Sequence, residues 1–533
     1  MSDDWEDYRR RLRRAQVRRS LWSGGVLAVV VLVAAAAFAA ASRRETVPRA
    51  GPAGVLRISQ PVDFDSTDPA LATGQLAWEM EYATCAKLVN YRASRLVPEV
   101  AARRPLVSRN GLTYTFQLRH DFRFNTGERV TAASFARAFE RALAPELVSP
   151  AAAYLREVAR YEAHGNLFRI RLRRPVPDLL DRLALPYFCA VPSHLPIDPS
   201  GVSEPPSAGP FTIAHRAPGQ LVLERNPYYG GDRRRGPDRI VYSIGSLPLH
   251  VRLQVEKGDA DYAALPPGAF APLVTEFVAS KQVRVIPQPV LAYLALNMGR
   301  PLFRGNPSLR RAVDFALDRR ALVAVYGRNG GRPTDQYLPP QLPGFSDARI
   351  YPLDGPSLAR ARALARGHTR SGKAILVTCG AAECRDRAQI VQSDLAAIGI
   401  DVSVRTAGLS PVLSPGSLRQ PYDIADVVWR ADYADPYGLL EKLLDSRVIQ
   451  NSESANPSYF DDPAVDRELD RIDALSGAAR YRAFGRLDVE IASREAPVAA
   501  YATLNARVFL NRRVGCFSYS PAFGVDVAAL CLR

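Results

Sequence analysis

Four groups of residues in this 533-residue chain are of types and spacings that could do chemistry. In Asp432-Tyr433-Ala434-Asp435-Pro436 two carboxylates lie three residues apart beside one aromatic ring. Paired acids of this kind can serve a glycosidase, but only when they flank one bond, a separation that spacing along a chain does not give. In loops such pairs are more often caps and turn residues. Gly367-His368-Thr369-Arg370-Ser371-Gly372-Lys373 fills the first seven positions of a phosphate-binding P-loop. The eighth is Ala374, where Mg²⁺ needs a hydroxyl. Its context is also reversed, following a helical segment and opening a strand. Six cysteines (85, 189, 379, 384, 516, 531) and six histidines (120, 164, 194, 215, 250, 368) are the remaining candidates.

No CxxC pair and no histidine cluster is present, so no metal and no cofactor is expected. An even cysteine count fits an oxidising compartment and allows fifteen pairings. Locality favours Cys379–Cys384 and Cys516–Cys531, which leaves Cys85–Cys189. There is no GxSxG elbow, no HExxH and no convincing serine–lysine pair, so no enzyme is expected. The net charge of +16 brings no nucleic-acid motif with it. Only five of the seventy basic residues are lysine, and the arginines are spread along the whole chain, which reads as codon bias.

The elements that must position these residues follow an α/β pattern. Tyr114 to Leu118 alternates with period two, and Thr131 then caps a helix carrying Phe135, Phe139 and Leu143 at four-residue spacing. Pro307 opens a helix through Leu309, Ala312, Val313, Ala316 and Leu317. Strand 374–378, a helix through Ile390, Leu395 and Ile398, and strand 402–404 read as a βαβ unit. Asp426 to Trp429 reads as a strand leading into the Asp432 loop, and 463–475 as a helix. No repeat of 20 to 50 residues is visible, against a solenoid.

The N-terminus points to export. Val26 to Ala41 is unbroken and apolar, within an uncharged stretch from Ser20 to Ser42 that can just span a bilayer. Seven arginines between positions 9 and 19 hold the first twenty residues in the cytoplasm. The length of the run favours a retained anchor, whereas Ala37-Phe38-Ala39 and Ala39-Ala40-Ala41 resemble sites of signal-peptide cleavage. Either way, the body beyond about residue 45 is extracytoplasmic.

Several stretches, in order, resemble one family: the extracytoplasmic solute-binding proteins of peptide/nickel-type ABC transporters (family 5, like the oligopeptide- and dipeptide-binding proteins). Gly111-Leu112-Thr113-Tyr114-Thr115-Phe116 through Leu118-Arg119, with Phe122, Phe124, Gly127 and Val130-Thr131-Ala132, is similar to its signature strand and helix. Ser207-Ala208-Gly209-Pro210-Phe211, Glu224 to Tyr229, Leu296-Asn297 with Pro301 to Phe303, and Leu309 to Ala312 continue the likeness. Trp429 with Ala431 to Pro436, then Asn456 and Val465-Asp466, completes it. The stretches cover most of residues 55 to 505.

The resemblance implies a two-lobed α/β periplasmic-binding-protein fold (type II-like, class C) with an extra inserted domain, preceded by one N-terminal transmembrane or signal helix. The expected division is a cytoplasmic tail at 1–20, the helix at 21–42 and a linker at 43–54. Lobe I would take 55–92, 205–290 and 506–533, the inserted domain 93–204, and lobe II 291–505. It further implies a monomeric, membrane-anchored or secreted receptor that closes on a peptide-like solute and hands it to ABC permease subunits. By resemblance Asp432 faces the ligand ammonium, Trp429 and Tyr433 wall the cleft, and Asn297 adds a hydrogen bond. Departures are Cys85 and Ala86, where many relatives carry a tyrosine–glutamate pair, and Ser134 in place of an acid in the first turn after Thr131. Other expectations within the same fold are a membrane-tethered sensor or scaffold, or a binder of a sugar or metal chelate.

Overall fold

A computed structural model describes residues 54–93, 95–233, 236–264, 282–407, 421–449 and 455–533. The expected tail, transmembrane or signal helix and most of the linker lie outside the described residues. Among the described residues no helix is long and apolar enough to cross a membrane.

In chain order, strand β1 (Val55–Gln60) is followed by helix α1 (Gln75–Thr84). A separate antiparallel sheet then forms from β2 (Leu106–Val107), β3 (Thr113–Gln117), β4 (Val158–His164) and β5 (Leu167–Leu172), ordered β2-β3-β5-β4. Helix α2 (Ala132–Leu143) packs on it through Phe135 and Phe139, whose rings meet Phe168. Ser134 stands where an acid was expected, and it still completes the cap, its Oγ accepting the Thr131 N–H at 3.2 Å.

The chain next enters the principal sheet through β6 (Phe211–Ala217), β7 (Gln220–Arg225), β8 (Arg239–Ile244), β9 (Tyr262–Ala263) and β10 (Val283–Leu296). Helix α3 (Pro307–Ala316) follows. The βαβ unit is β11 (Lys373–Cys379), α4 (Ala382–Ala396) and β12 (Asp401–Ala407), the two strands pairing in parallel. Then come β13 (Ile424–Arg430), α5 (Pro436–Leu444), α6 (Pro463–Asp473), α7 (Gly477–Arg494) and β14 (Val498–Leu510). Among the described residues the sheet has eleven strands, ordered β12-β11-β13-β10-β14-β9-β1-β8-β7-β6, with Gly331–Pro333 paired beside β14.

The run Val290 to Leu296 has no strongly polar side chain, as a strand covered on both faces requires. Val290, Ala292, Leu294 and Leu296 enter one core with Leu309 and Val313 of α3. Leu291, Tyr293 and Ala295 enter another with Leu443, Leu469 and Phe484 of α5, α6 and α7. A third and larger core gathers β1, α1, the four-stranded sheet and the C-terminal segment through Phe523 and Leu530.

Two strands, β10 and β14, join these regions. Val290 to Leu296 of β10 pairs with β13, while Phe509 and Leu510 of β14 pair with β9 at the other end. The ladder between β10 and β14 slips between Pro287 and Leu291. The cause is in the sequence: Pro287 and Pro289 have no N–H to donate, so the pairing has to break there.

The structure contains three disulfides, Cys85–Cys189, Cys379–Cys384 and Cys516–Cys531, with Cα atoms 5.3, 5.5 and 5.3 Å apart.

Candidate functional site

The break between β10 and β14 adjoins the loop Ala431–Asp435, since Ala431 N–H donates to Pro289 C=O at 2.9 Å. The loop ends because Asp435 caps α5, its Oδ1 accepting the Tyr437 N–H at 2.9 Å, with Pro436 in the first turn. The other oxygen of Asp435 pairs with buried Arg480, which also donates to buried Asp473 at 2.9 Å. Burial pushes the Asp435 carboxyl up to about 6, the nearby Asp178 adding to this and Arg480 opposing it. The two acids of the motif thus have different work, and Asp435 is structural.

Asp432 is half-buried. Its Oδ2 accepts the Tyr154 hydroxyl at 2.7 Å, across 278 residues of chain, and its Oδ1 accepts no hydrogen bond among the described residues. Burial raises its pKa above the ordinary carboxylate value, while Lys442, the Tyr154 hydroxyl and Arg430 pull it down. Tyr154 stacks on Tyr187 with ring centroids 5.7 Å apart, and Tyr187 meets Trp78 edge-on at 5.6 Å. Lys442 Nζ lies 5.7 Å from the Tyr154 centroid, and the Arg430 guanidinium 5.5 Å from that of Trp78. A carboxylate, three aromatic rings and two cations therefore meet beside the strand break.

The other expected site residues are distributed unevenly. Trp429 is half-buried on β13 against the core of Leu291 and Tyr293, and its Nε1 is buried without a hydrogen-bond partner among the described residues. Tyr433 is buried, and its hydroxyl donates to Asp178 Oδ2 at 2.7 Å. Gly438 makes room for that ring, since a Cβ there would stand 2.8 Å from Tyr433 Cζ. Asn297 does not join them. It follows β10 at the end opposite Pro289, about 27 Å away at 3.4 Å per strand residue. Both ends of its amide are taken up by backbone, donating to Tyr422 C=O and accepting from Gly299 N–H, each at 2.9 Å.

A surface groove of about 430 Å³ lies at that far end, lined by Arg300, Ser371, Lys373, Asp401 and Asp423 among others. Ser371 and Lys373 belong to the P-loop-like stretch. It follows a helix (Leu358–Ala365) and opens β11, as expected, with no helix N-terminus for a phosphate. The groove is open and remote from Asp432. The cluster at half-buried Asp432 is the better candidate because its polar and aromatic groups converge.

A seam of ion pairs joins the segment 156–174 to α5 and α6. Arg174 bridges Glu157 and Asp473 at 2.8 and 2.9 Å, Arg182 bridges Asp178 and Glu157 at 3.1 and 3.0 Å, and Arg156 pairs with Glu441. Burial alone would raise the Asp178 carboxyl; Arg182, Arg480 and the Tyr433 hydroxyl hold it below its ordinary value.

Tyr154, Tyr187, Trp78, Arg430 and Lys442 were not singled out from sequence. One signal was present for Lys442: a chain that uses arginine almost everywhere keeps a lysine ten residues after Asp432.

Among known proteins, the family model described as bacterial extracellular solute-binding proteins, family 5 middle, matches residues 95–451. The chain is 24% identical over 489 residues to the probable D,D-dipeptide-binding periplasmic protein of Escherichia coli (strain K12), covering 89% of this chain and 93% of that protein. It is 22% identical over 442 residues to the periplasmic oligopeptide-binding protein of the same organism, covering 75% and 78%. Among solved structures, clavulanic acid biosynthesis oligopeptide binding protein 2 superposes with a TM-score of 0.79 at 24% identity, covering 90% of this chain and 96% of that one. The periplasmic binding protein of Helicobacter pylori in complex with the peptide STSA gives 0.76 at 20% identity, covering 90% and 98%. The mixed α/β architecture is the one these binding proteins have.

Proposed function

Because the chain belongs to the bacterial extracellular solute-binding proteins of family 5, we propose that it is an extracytoplasmic receptor that captures a peptide-like solute and delivers it to an ABC importer permease. Relatives named for D,D-dipeptides and oligopeptides support that class of ligand. The observation that carries the reading is Asp432: a recessed carboxylate beside the break in the two joining strands, with one oxygen open to a donor. An α-ammonium placed there makes a charge-assisted hydrogen bond, and Tyr154, Tyr187 and Trp78 offer aromatic surface to the first residues of a peptide.

In this reading residues 55–92, 205–290 and 506–533 form one lobe, 291–505 the other, and 93–204 the inserted domain. The break at Pro287–Leu291 is the hinge, and the ion pairs of Arg174 with Asp473 and Arg156 with Glu441 hold the inserted domain to the other lobe over the ligand. Tyr433 acts from beneath, positioning the loop through Asp178, and Trp429 stiffens it from the core side. Residues 21–42 serve as leader or anchor, and no bond in the ligand is broken. No observation favours the sensor or scaffold alternative.

The test is a thermal-shift screen of the full chain against peptide pools, with Asp432→Ala beside it. Ligand raises the melting temperature through RT ln(1 + [L]/Kd). Asp432→Ala should abolish the shift while changing stability by less than about 2 kcal/mol, as expected of a polar site outside the core. A variant that unfolds without a specific binding defect, or a wild type unmoved by every pool, overturns the proposal.

A further inference from the structure

The charges around Asp432 do not balance. Arg156 has Glu441, and Arg182 has Asp178 and Glu157. Two cations remain. Lys442 Nζ makes no hydrogen bond among the described residues and rests over the Tyr154 ring. Arg430 donates through Nη1 to the carbonyls of Pro521 and Ala522, at 3.2 and 2.9 Å, and forms no ion pair among the described residues. The other carboxyl acting on it besides Asp432 is Glu79. That group is buried and accepts hydrogen bonds from Val525 N–H and the Tyr262 hydroxyl. Burial pushes it up to about 8, so it is largely protonated at neutral pH. Asp432 is then one carboxylate beside two basic groups, Lys442 and Arg430, whose charged forms burial disfavours and Asp432 supports, in a place where charge is poorly screened. An ammonium ligand alone would make the excess worse, bringing a third positive charge.

We propose that this end of the cleft selects solutes carrying an acidic group beside the amine, with the amine on Asp432 and the acid between Lys442 and Arg430. For peptides this means an aspartate or glutamate as the first residue; an amino acid derivative with a second carboxylate presents the same chemistry. The inference rests on the reading of Asp432 as the ammonium site. Arg430 ends β13 two residues before Asp432, and Lys442 is on α5, the helix that follows the Asp432 loop, so the three groups surround one end of a ligand. Lys442 is half-buried, which leaves its ammonium reachable from the recess. The aromatic rings hold the charged ends of both cations in place, so little rotamer freedom is lost when an acid arrives.

The experiment measures dissociation constants of the full chain for Ala-Ala-Ala, Asp-Ala-Ala, Glu-Ala-Ala and Lys-Ala-Ala by titration calorimetry. A charge-assisted contact in such a recess predicts acid-first peptides binding at least about tenfold tighter than Ala-Ala-Ala, with Lys-Ala-Ala weakest. Lys442→Met should reduce that preference to under about threefold, and Lys442→Arg should keep it. Equal or better binding of Ala-Ala-Ala, or a preference untouched by Lys442→Met while the variant still binds Ala-Ala-Ala, overturns this inference and leaves the peptide reading standing. Binding of none of the four overturns both.

Discussion

Replacing Glu79 with glutamine isolates the electrostatics on which the charge balance at Arg430 depends. Glu79 lies on α1 and is 3% exposed, its Oε2 accepting Val525 N–H at 2.9 Å and the Tyr262 hydroxyl at 3.2 Å. Burial is the largest influence on it; the two hydrogen bonds and Arg430 oppose burial without overcoming it, so the pKa rises from 4.5 to about 8. The folded chain therefore keeps a proton that the unfolded chain releases. Stability from this group is fully present below about pH 4.5 and is lost as pH rises toward 8. Linkage makes the loss about 1.4 kcal/mol per pH unit across that window, on the order of 5 kcal/mol in all. This is an upper figure, because water reaching the carboxylate relaxes its environment. Glutamine has the shape of the protonated acid and no proton to lose. Equilibrium urea unfolding of both proteins between pH 5 and pH 8 should show Glu79→Gln gaining on the wild type by several kcal/mol as pH rises. Other buried carboxyls, Asp314 and Asp488 among them, titrate alike in both proteins and cancel in the difference. A difference constant to within about 0.5 kcal/mol across the range, the scatter of independent sites, would refute the argument. It would also mean that Glu79 is ionised and Arg430 already neutralised.

Arg480→Met should destabilise the chain by about 3–5 kcal/mol in the same unfolding assay, because it leaves Asp435 and Asp473 buried without their shared guanidinium. The closed seam should weaken with it, so a ligand-induced thermal shift, if still measurable, should be smaller. Replacing Cys85 and Cys189 by serine should cost roughly 4–5 kcal/mol from chain entropy for a bridge spanning 104 residues. The same change at Cys379 and Cys384, five residues apart, should cost only about 2 kcal/mol.

Locally encoded features were legible before any coordinates. The period-two strand at Tyr114, the capped helix after Thr131, the βαβ unit and the helix opened by Pro463 all form where residue pattern places them. The disulfides follow from proximity in sequence for two pairs and from what remained for the third. Asp435 behaves as an aspartate before proline does, capping a helix. Asn297 shows where the same reasoning fails. A polar residue closing an apolar strand has ligand-facing and structural uses with the same sequence signature. Only the antiparallel pairing of β10 with β13 shows that it stands at the wrong end.

What the amino-acid order determined by itself is the set of elements, the double-sided burial of Val290 to Leu296 and the break at Pro287 and Pro289. These depend on backbone chemistry and on which side chains must leave water, both readable a few residues at a time. Tertiary structure alone decided the surroundings of Asp432. Tyr154 reaches it from 278 residues away, and the partners of Arg430 come from the C-terminal segment. Charge and hydrogen bonding act through space at a few ångströms, so the preference of this recess is a property of segments that the linear chain keeps far apart.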